Sequence, residues 1–433
     1  MEALPPHLDD LTTRKYGLFL RRRFLPIFMA TFLGAFNDNL LRSGLVVMIA
    51  YGASNGIALP DRPELLVTIC SALLVIPILL FSSIAGPLAD KYEKSRLVRY
   101  TKIAELFIML CVLYGFATYN IYLLMCMLFV SGMHTTFYSP IKFSILPDHL
   151  KPEELLAANG FMAAGHYLAI LGGLIAGGLL VEAPGNLIGG VAVCIAVVGL
   201  VASLFVPQSH IAHPGIEVNL NIWHGTKSIL RNAYHNRTVL HAIWGLSWFL
   251  LVGSVYMAQF ANYAQGVVRA DNEVYILFLV VFSVGIAFGS MLCDTLLRGE
   301  ISAKFTPYLA LGTAIFTYLM VATTPAPIHE GLMGLEEFIG MPSHWPVLGC
   351  MLMVAVCGGI YIVPLYAIVQ SQSHMQYRSR VMAASNLFDS VFMTCAAMAS
   401  YILLNLGFGI KDLFVILATL NLLVVWYAWK FTR

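Results

Sequence analysis

The sequence carries few charged residues for its length. Of its 433 residues, 25 are Lys or Arg and 23 are Asp or Glu, which is 11% of the chain, against about a quarter in a soluble domain. This scarcity excludes a soluble globular protein. The formal net charge of +2 leaves no basic surface, so we expect no nucleic-acid partner.

Motifs of enzyme and metal chemistry are missing as well. The 8 cysteines form no CxxC pair, and the sequence has no HExxH, P-loop lysine or strand-linked GxGxxG motif. The cysteines are typical of small interior residues. We therefore expect no disulfide framework, metal site, cofactor or catalytic residue, and hence a protein that is not an enzyme.

Long apolar runs make up most of the chain. Hydrophobic residues account for 59% of the sequence, and a membrane-spanning helix needs about 20 of them, so there is room for about twelve helices. The run after Arg21-Arg22-Arg23 is too long for a signal-peptide core and lacks a cleavage site, so it is a retained first helix. The predicted helices cover 24–51, 64–88, 97–118, 120–146, 154–181, 186–206, 238–264, 272–297, 304–323, 346–373, 379–406 and 411–430.

These runs predict an all-α membrane protein of twelve transmembrane helices in two halves. We expect an N-terminal tail over 1–23, six helices over 24–206, a linker over 207–237 and six helices over 238–433. Trp223, Lys227, Leu230 and Tyr234 recur in the linker at helical spacing, which predicts a helix lying on the membrane surface.

The distribution of basic residues predicts the orientation. If the N-terminus is cytoplasmic, 21 of the 25 Lys and Arg residues fall on the cytoplasmic side, with Arg62, Arg269 and Lys411 opposite and Arg42 inside a span. The positive-inside rule then places the tail, the linker and the C-terminus in the cytoplasm.

The two halves resemble each other, and one loop resembles a known motif. Pro140 and a later Asn159 in the first half correspond to Pro364 and Asn386 in the second, which is typical of the parallel repeats of major facilitator transporters. The loop after the second helix resembles the cytoplasmic loop motif of that superfamily, in which an aspartate and several basic residues hold the two halves together. Its predicted gate residues are Gly86, Asp90, Lys94 and Arg96, and Glu93 replaces the second glycine of the motif.

Small residues recur on two helices. Gly173 and Gly177 in the fifth helix, and Gly285 and Gly289 in the eighth, predict faces for close helix packing. In the superfamily these two helices meet between the halves. A sliding contact and plain tight packing both fit this pattern.

Charges inside a bilayer are costly and mark candidate functional sites. Asp38 and Arg42 lie one turn apart in the first helix, where they can pair or present both signs to a cavity. Arginine favours the charged form of Asp38, which suits a ligand for a zwitterion better than a proton carrier. An ion pair that only supports helix packing is the alternative.

The other intramembrane polar groups complete the candidate set. The lysines Lys102 and Lys142 lie close enough to the cytoplasmic side to snorkel, and the alternative is that they bind a ligand. The predicted substrate-binding residues are Asn37, Asp38, Arg42, Lys142, Asn159, His166, Trp248, Gln370, Asn386 and Asp389. Their strongly apolar surroundings favour an amphiphilic substrate over a sugar.

Several segments resemble the bacterial lysophospholipid transporters of the major facilitator superfamily. The run 36–40 is similar to their FxDN signature, 138–146 to their YSPxKYxIL segment, and 156–162 with the glycines at 172–178 to the region that follows. The linker and 245–249 also resemble the transporter part of relatives fused to an acyltransferase. Beyond His241, no charge matches the one that some relatives have in the seventh helix.

The resemblance implies movement of lysophosphatidylethanolamine and lysophosphatidylglycerol from the outer to the cytoplasmic leaflet of a bacterial inner membrane by alternating access. Asp38 and Lys142 would contact the headgroup. A separate acyltransferase would act on the product, and membrane lipids would surround a monomer. The alternatives are a proton-coupled exporter of drugs or siderophores that uses Asp389 or Glu105, and a non-transporting receptor on the same fold.

Overall fold

The computed structural model describes residues 17–51, 63–181, 183, 186–219, 221–326 and 331–432. Within these ranges the chain is helical, apart from loops and one isolated bridge between Ala270 and Met333. Most of the predicted tail over 1–23, and Arg62, lie outside the described residues.

Thirteen helices carry the architecture of the described chain. Each of the twelve predicted runs coincides with one of them to within three residues at either end. They are α1 (Leu25–Tyr51), α2 (Pro63–Lys91), α3 (Lys94–Ala117), α4 (Ile121–Ser144), α5 (Leu155–Val181), α6 (Leu187–Leu204), α7 (Ile222–Tyr234), α8 (Arg237–Asn262), α9 (Asn272–Leu297), α10 (Thr306–Thr323), α11 (Trp345–Gln372), α12 (Arg378–Asn405) and α13 (Ile410–Thr432).

Eleven of the described helices are long and apolar enough to cross a membrane, namely α2–α6 and α8–α13. The prolines inside α2, α4 and α11 do not end these helices, because neighbouring helices in a bundle compensate for the lost backbone hydrogen bond. Helix α1 has 27 residues but is not among the eleven. The count of twelve spans stays a prediction.

The chain divides into two compact units that are interleaved in sequence. The first unit comprises Met1–Ala158, Leu168–Leu240 and Val369–Ser390, and the second comprises Asn159–Tyr167, His241–Ile368 and Val391–Arg433. A segment from the second predicted half, Val369–Ser390, therefore belongs to the first unit.

Each unit has an apolar interior. In the first, Leu41, Met109, Leu128 and Ala192 are fully or almost fully buried where α1, α3, α4 and α6 meet. In the second, aromatic rings in tilted and edge-to-face contact fill the same role, namely those of Tyr256, Phe260, Phe278, Phe282 and Phe414.

The predicted linker helix forms as α7. The side chain of Asn221 accepts a hydrogen bond from the backbone N–H of His224 and caps its N-terminus. Gly225 lies against Ser83 of α2, so one face is buried while Trp223 on another face is exposed. The position of α7 at a membrane surface stays a prediction.

Candidate functional site

Asp38 is held at the centre of the first unit by two hydroxyl groups. Its carboxylate accepts hydrogen bonds from Ser131 Oγ and, at 2.7 Å, from Thr135 Oγ1. These donors lie one turn apart on α4, so both face α1. Each carboxylate oxygen keeps a further lone pair for a cationic ligand. The side chain is half-buried, which leaves it partly accessible.

The hydrogen bonds described for Asp38 come from α4, and its predicted pairing with Arg42 stays a prediction. Charges that act on Asp38 include those of His134, Glu105, Lys102 and Lys142. The spacing of four places Asp38 and Arg42 on one side of α1, while each oxygen of the carboxylate accepts a hydrogen bond from one hydroxyl group of α4. Arg42 is half-buried, and its positive charge interacts electrostatically with the side chain of Cys70 in α2.

Lys142 supplies a positive charge on the same helix as the two hydroxyls. Its ammonium lies 4.9 Å from the ring centre of Phe143, and the charge of Asp38 acts on it. Among the residues that the structure describes, no carboxylate lies within 4.0 Å of Lys142 Nζ. A half-buried ammonium without a paired carboxylate is suited to binding an anionic group.

A second, fully buried charge cluster lies behind Asp38. Lys102 Nζ is 2.5 Å from Glu105 Oε2, with side-chain exposures of 0% and 2%, so Lys102 does not snorkel. Asn37 donates to Glu105 Oε1 at 3.3 Å and to the carbonyl of Ala192 at 3.2 Å. Asn37, a predicted ligand, is therefore a fully buried brace between α1, α3 and α6.

Three further candidates belong to the segment of the first unit that begins at Val369. Ser139 Oγ donates to Asn386 Oδ1 at 3.1 Å, which brings α12 against α4. Gln370 and Asp389 are buried side chains on α11 and α12. The predicted common face of Asn386 and Asp389 stays a prediction.

The remaining three candidates lie in the second unit. Asn159 is buried at the start of α5, and the His166 ring lies 5.9 Å from the ring of Tyr167. The indole N–H of Trp248 donates to Asn421 Oδ1 at 2.8 Å, so this group is engaged inside the second unit.

Two of the predicted gate residues, Gly86 and Asp90, contact the beginning of α12 within the first unit. Asp90 accepts from the backbone N–H groups of Ser379 at 3.0 Å and Arg380 at 3.3 Å, and Arg380 Nε lies 3.0 Å from Asp90 Oδ2. Asp90 thus binds the first turn of α12, where free N–H groups favour a negative charge. A Cβ on Gly86 would lie 2.9 Å from Arg380 Cα, so the approach requires glycine there.

A second ionic cluster lies beside Asp90. Lys94 Nζ is 2.6 Å from Asp148 Oδ2, and Arg378 Nη1 is 3.3 Å from Asp148 Oδ1. Lys94 is therefore paired with an acidic residue that the sequence did not indicate. Arg96 lies outside this cluster, since it is exposed and its Nε is 3.6 Å from Glu93 Oε2. The gating role of these residues stays a prediction.

Glu93, which replaces a glycine of the motif, has a definite structural role. It caps α3 by accepting from the N–H groups of Ser95 and Arg96, and it also accepts from Ser209 N at 2.9 Å. Burial raises the pKa of Glu93, but these hydrogen bonds outweigh it and hold the pKa below its ordinary value of 4.5.

The predicted glycine faces pack closely, but not against each other. Gly173 and Gly177 lie against the backbone of α1, where a Cβ on Gly177 would be 2.5 Å from the carbonyl oxygen of Leu40. Gly285 and Gly289 lie against α11. A close approach of α5 to α9 occurs instead at Gly160, whose Cβ would be 2.6 Å from the carbonyl oxygen of Ser290.

Comparison with known proteins identifies the class. The family described as Major Facilitator Superfamily matches residues 27–336. The lysophospholipid transporter LplT of Klebsiella pneumoniae (strain 342) is 28% identical over 378 residues, covering 85% of both chains. LplT of Serratia proteamaculans is 26% identical over 86% of both chains, and LplT of Escherichia coli O9:H4 is 25% identical over 91% of this chain and 93% of its own.

Solved structures agree on the fold. The human organic anion transporter MFSD10 superposes with a TM-score of 0.72 at 13% identity, over 98% of this chain and 100% of its own. A bacterial homologue of the iron transporter ferroportin gives a TM-score of 0.66 at 16% identity, over 94% and 98%. The predicted all-α major facilitator fold, the resemblance and the multi-pass location in a bacterial inner membrane are confirmed, whereas the twelve spans and the cytoplasmic termini stay predictions.

Proposed function

We propose that this chain, which belongs to the major facilitator superfamily, carries lysophospholipids between the leaflets of the bacterial inner membrane. Relatives named as lysophospholipid transporters align with nearly the whole chain and with nearly their own whole length. The chemistry of the first unit supports the same substrate class.

The observation that carries the proposal is that Asp38 and Lys142 bear opposite charges and, among the described ion pairs, form none with each other. Asp38 is fixed by Ser131 and Thr135, and Lys142 has no carboxylate within 4.0 Å among the described residues. A lysophosphatidylethanolamine headgroup presents an ammonium and a phosphate. The ammonium would bind Asp38 and the phosphate Lys142, so each site charge would gain an oppositely charged ligand in addition to its present contacts.

The remaining candidates fit a supporting role in the same proposal. Arg42, Asn386, Asp389 and Gln370 would line the headgroup path within the first unit. The acyl chain would follow apolar helix faces, because a buried charge pair alone cannot recognise a hydrocarbon chain.

Transport would proceed by alternating access of the two six-helix halves. With both termini in the cytoplasm, the cluster of Asp90, Arg380, Asp148 and Lys94 lies at the cytoplasmic side and must open to release lipid there. The lipid would move from the outer to the cytoplasmic leaflet. A separate acyltransferase would then restore the second chain, and the transporter would work as a monomer.

The test is the movement of labelled lysophosphatidylethanolamine into the inner leaflet of proteoliposomes without an ion gradient. We expect Asp38→Asn and Lys142→Gln each to lower the initial rate about ten- to a hundredfold, because each removes a hydrogen bond to a charged group. Glu300→Gln and Lys304→Gln are matched controls, since this pair lies on the surface at 3.7 Å and should leave the rate unchanged.

Two outcomes would overturn the proposal. Flux equal in wild type and in both site variants would remove the headgroup site. No protein-dependent flux of the lipid, together with drug or siderophore export driven by a pH gradient, would replace it with the proton-coupled exporter. Glu105 is a poor proton carrier for that exporter because Lys102 neutralises it at 2.5 Å, which leaves Asp389 as the candidate.

A further inference from the structure

An apolar groove runs between α2 and α3, with α4 as its floor. Both helices pack along α4 but contact each other only sparsely, and the gap between them encloses about 290 Å³. Leu88 of α2, Leu97, Tyr100 and Ala104 of α3 and Phe137 of α4 are among its lining residues. The groove lies entirely within the first unit.

The groove is distinct from the candidate headgroup site. Val130, Met133, His134 and Phe137 face it from one side of α4. Ser131 and Thr135, which bind Asp38, lie on the adjacent side of the same helix. The helix therefore separates the two features.

A polar residue, His134, is among the lining residues of this largely hydrocarbon surface. Its side chain is only 6% exposed, and both ring nitrogens are covered. Its Nε2 lies 4.0 Å from Glu105 Oε2 of the buried charge cluster. The groove therefore presents carbon atoms, and not a hydrogen-bond donor, to its occupant.

The length and volume of the groove limit the size of the molecule that it can hold. From Leu97 to Ile108, α3 rises roughly 16 Å, which is about half of a 30 Å hydrocarbon core. A volume of about 290 Å³ lies at the lower end of small-molecule sites, so it takes one chain and not a whole lipid. Tyr100 is 65% exposed at the rim, so the groove opens sideways, towards the bilayer.

Charge at one end of the groove points to a phosphate. Arg96 is exposed one turn before Tyr100 on the same face of α3, and its contact with Glu93 is only 3.6 Å. A phosphate in the headgroup layer could therefore reach the guanidinium while its acyl chain follows α3 inward.

We propose that this groove binds one ester-linked acyl chain of a diacyl phospholipid of the adjacent leaflet through apolar contacts, with Arg96 facing the phosphate. The second chain stays in the bilayer. This is a lipid site additional to the transport site, and it does not depend on which substrate the protein carries.

The test uses the full-length protein in proteoliposomes that contain phosphatidylglycerol with a photoactivatable diazirine at the end of one acyl chain. After illumination, peptide mass spectrometry locates the label. We expect saturable labelling of α3 and α4 in the wild type. A104W fills the groove and should abolish this labelling, whereas F107W, at an exposed position of α3 outside the groove, should retain it.

A less disruptive substitution provides a second test if A104W folds poorly. Arg96→Gln removes the positive charge at the end of the groove and should weaken saturable labelling about two- to tenfold. Competition by unlabelled diacyl phosphatidylglycerol, and not by its lyso form, supports the proposal. Labelling that is non-saturable, equal in A104W, or displaced only by lysophospholipid overturns it, and the last result assigns the groove to the transport path.

Discussion

The buried ion pair between Lys102 and Glu105 gives a prediction with a definite size. The atoms Nζ and Oε2 are 2.5 Å apart and both side chains are excluded from solvent and lipid. Removing one partner leaves an uncompensated buried charge, which costs about 3–5 kcal/mol. We therefore expect Lys102→Met and Glu105→Leu each to lower the free energy of unfolding by that amount.

The loss of stability in the double variant should be much smaller than the sum of the losses in the two single variants. With both charges gone, apolar side chains of similar volume fill the site, and such replacements are close to neutral. Asn37 keeps its hydrogen bond to the carbonyl of Ala192, so at most one bond is lost. We expect the double variant to lie within about 1 kcal/mol of wild type, because the interaction between the two sites is strongly non-additive.

The measurement is reversible unfolding of the purified protein in mixed micelles, titrated with sodium dodecyl sulfate. Lys304→Met is the matched control, because its pair with Glu300 is 55% and 73% exposed and is worth less than about 1 kcal/mol. Single variants as stable as this control, or a double variant as unstable as the sum of the singles, would refute the reasoning.

Three further predictions test the packing and the gate. Gly177→Ala should reduce the yield of folded protein, because its Cβ would lie 2.5 Å from an α1 carbonyl oxygen, whereas Gly178→Ala, whose nearest contact is at 3.8 Å, should not. Asp90→Asn should increase several-fold the reaction of Ser139→Cys with a water-soluble maleimide added to the cytoplasmic face; an unchanged rate would contradict the gate. Glu93→Gln should lower stability by about 1 kcal/mol at pH 7. Because the pKa of Glu93 is lowered on folding, this difference should disappear as the pH falls below 4.5 and through that lowered pKa, and a constant difference would show that the charge is not involved.

The helices were predictable because a bilayer imposes length and hydropathy on every span. The predicted run 272–297 matches α9 at both ends. The largest deviations are three residues, at the end of α2 and at the start of α3, where polar Lys94 and Ser95 begin the helix. Those residues look like a loop in sequence. They are helical because Glu93 caps the helix and Asp148 pairs with Lys94.

Tertiary partners were not predictable in the same way. The spacing of Asp38 and Arg42 correctly reports a shared side of one helix, yet the partner of Asp38 comes from α4, which contributes Ser131 and Thr135. Hydroxyl groups at intramembrane positions are common and bond to their own backbone as often as to a neighbour, so they carry no distinctive pattern. The same limit applies to glycines, whose pattern indicates a close contact but not which helix approaches.

Helix α1 combines low hydropathy with several candidate site residues. It is as long as the other spans but is not among the eleven that qualify as membrane-crossing, and it contains Asn37, Asp38, Asn39 and Arg42. Polar residues in a span make insertion of that helix into the membrane less favourable, and they mark candidate functional sites. Two of them are already accounted for, since Asn37 braces the buried ion pair and Asp38 faces α4. Helix α1, which is not among the eleven candidate spans, is therefore also the helix that contributes Asp38 to the proposed headgroup site, and it packs against α4 and α6.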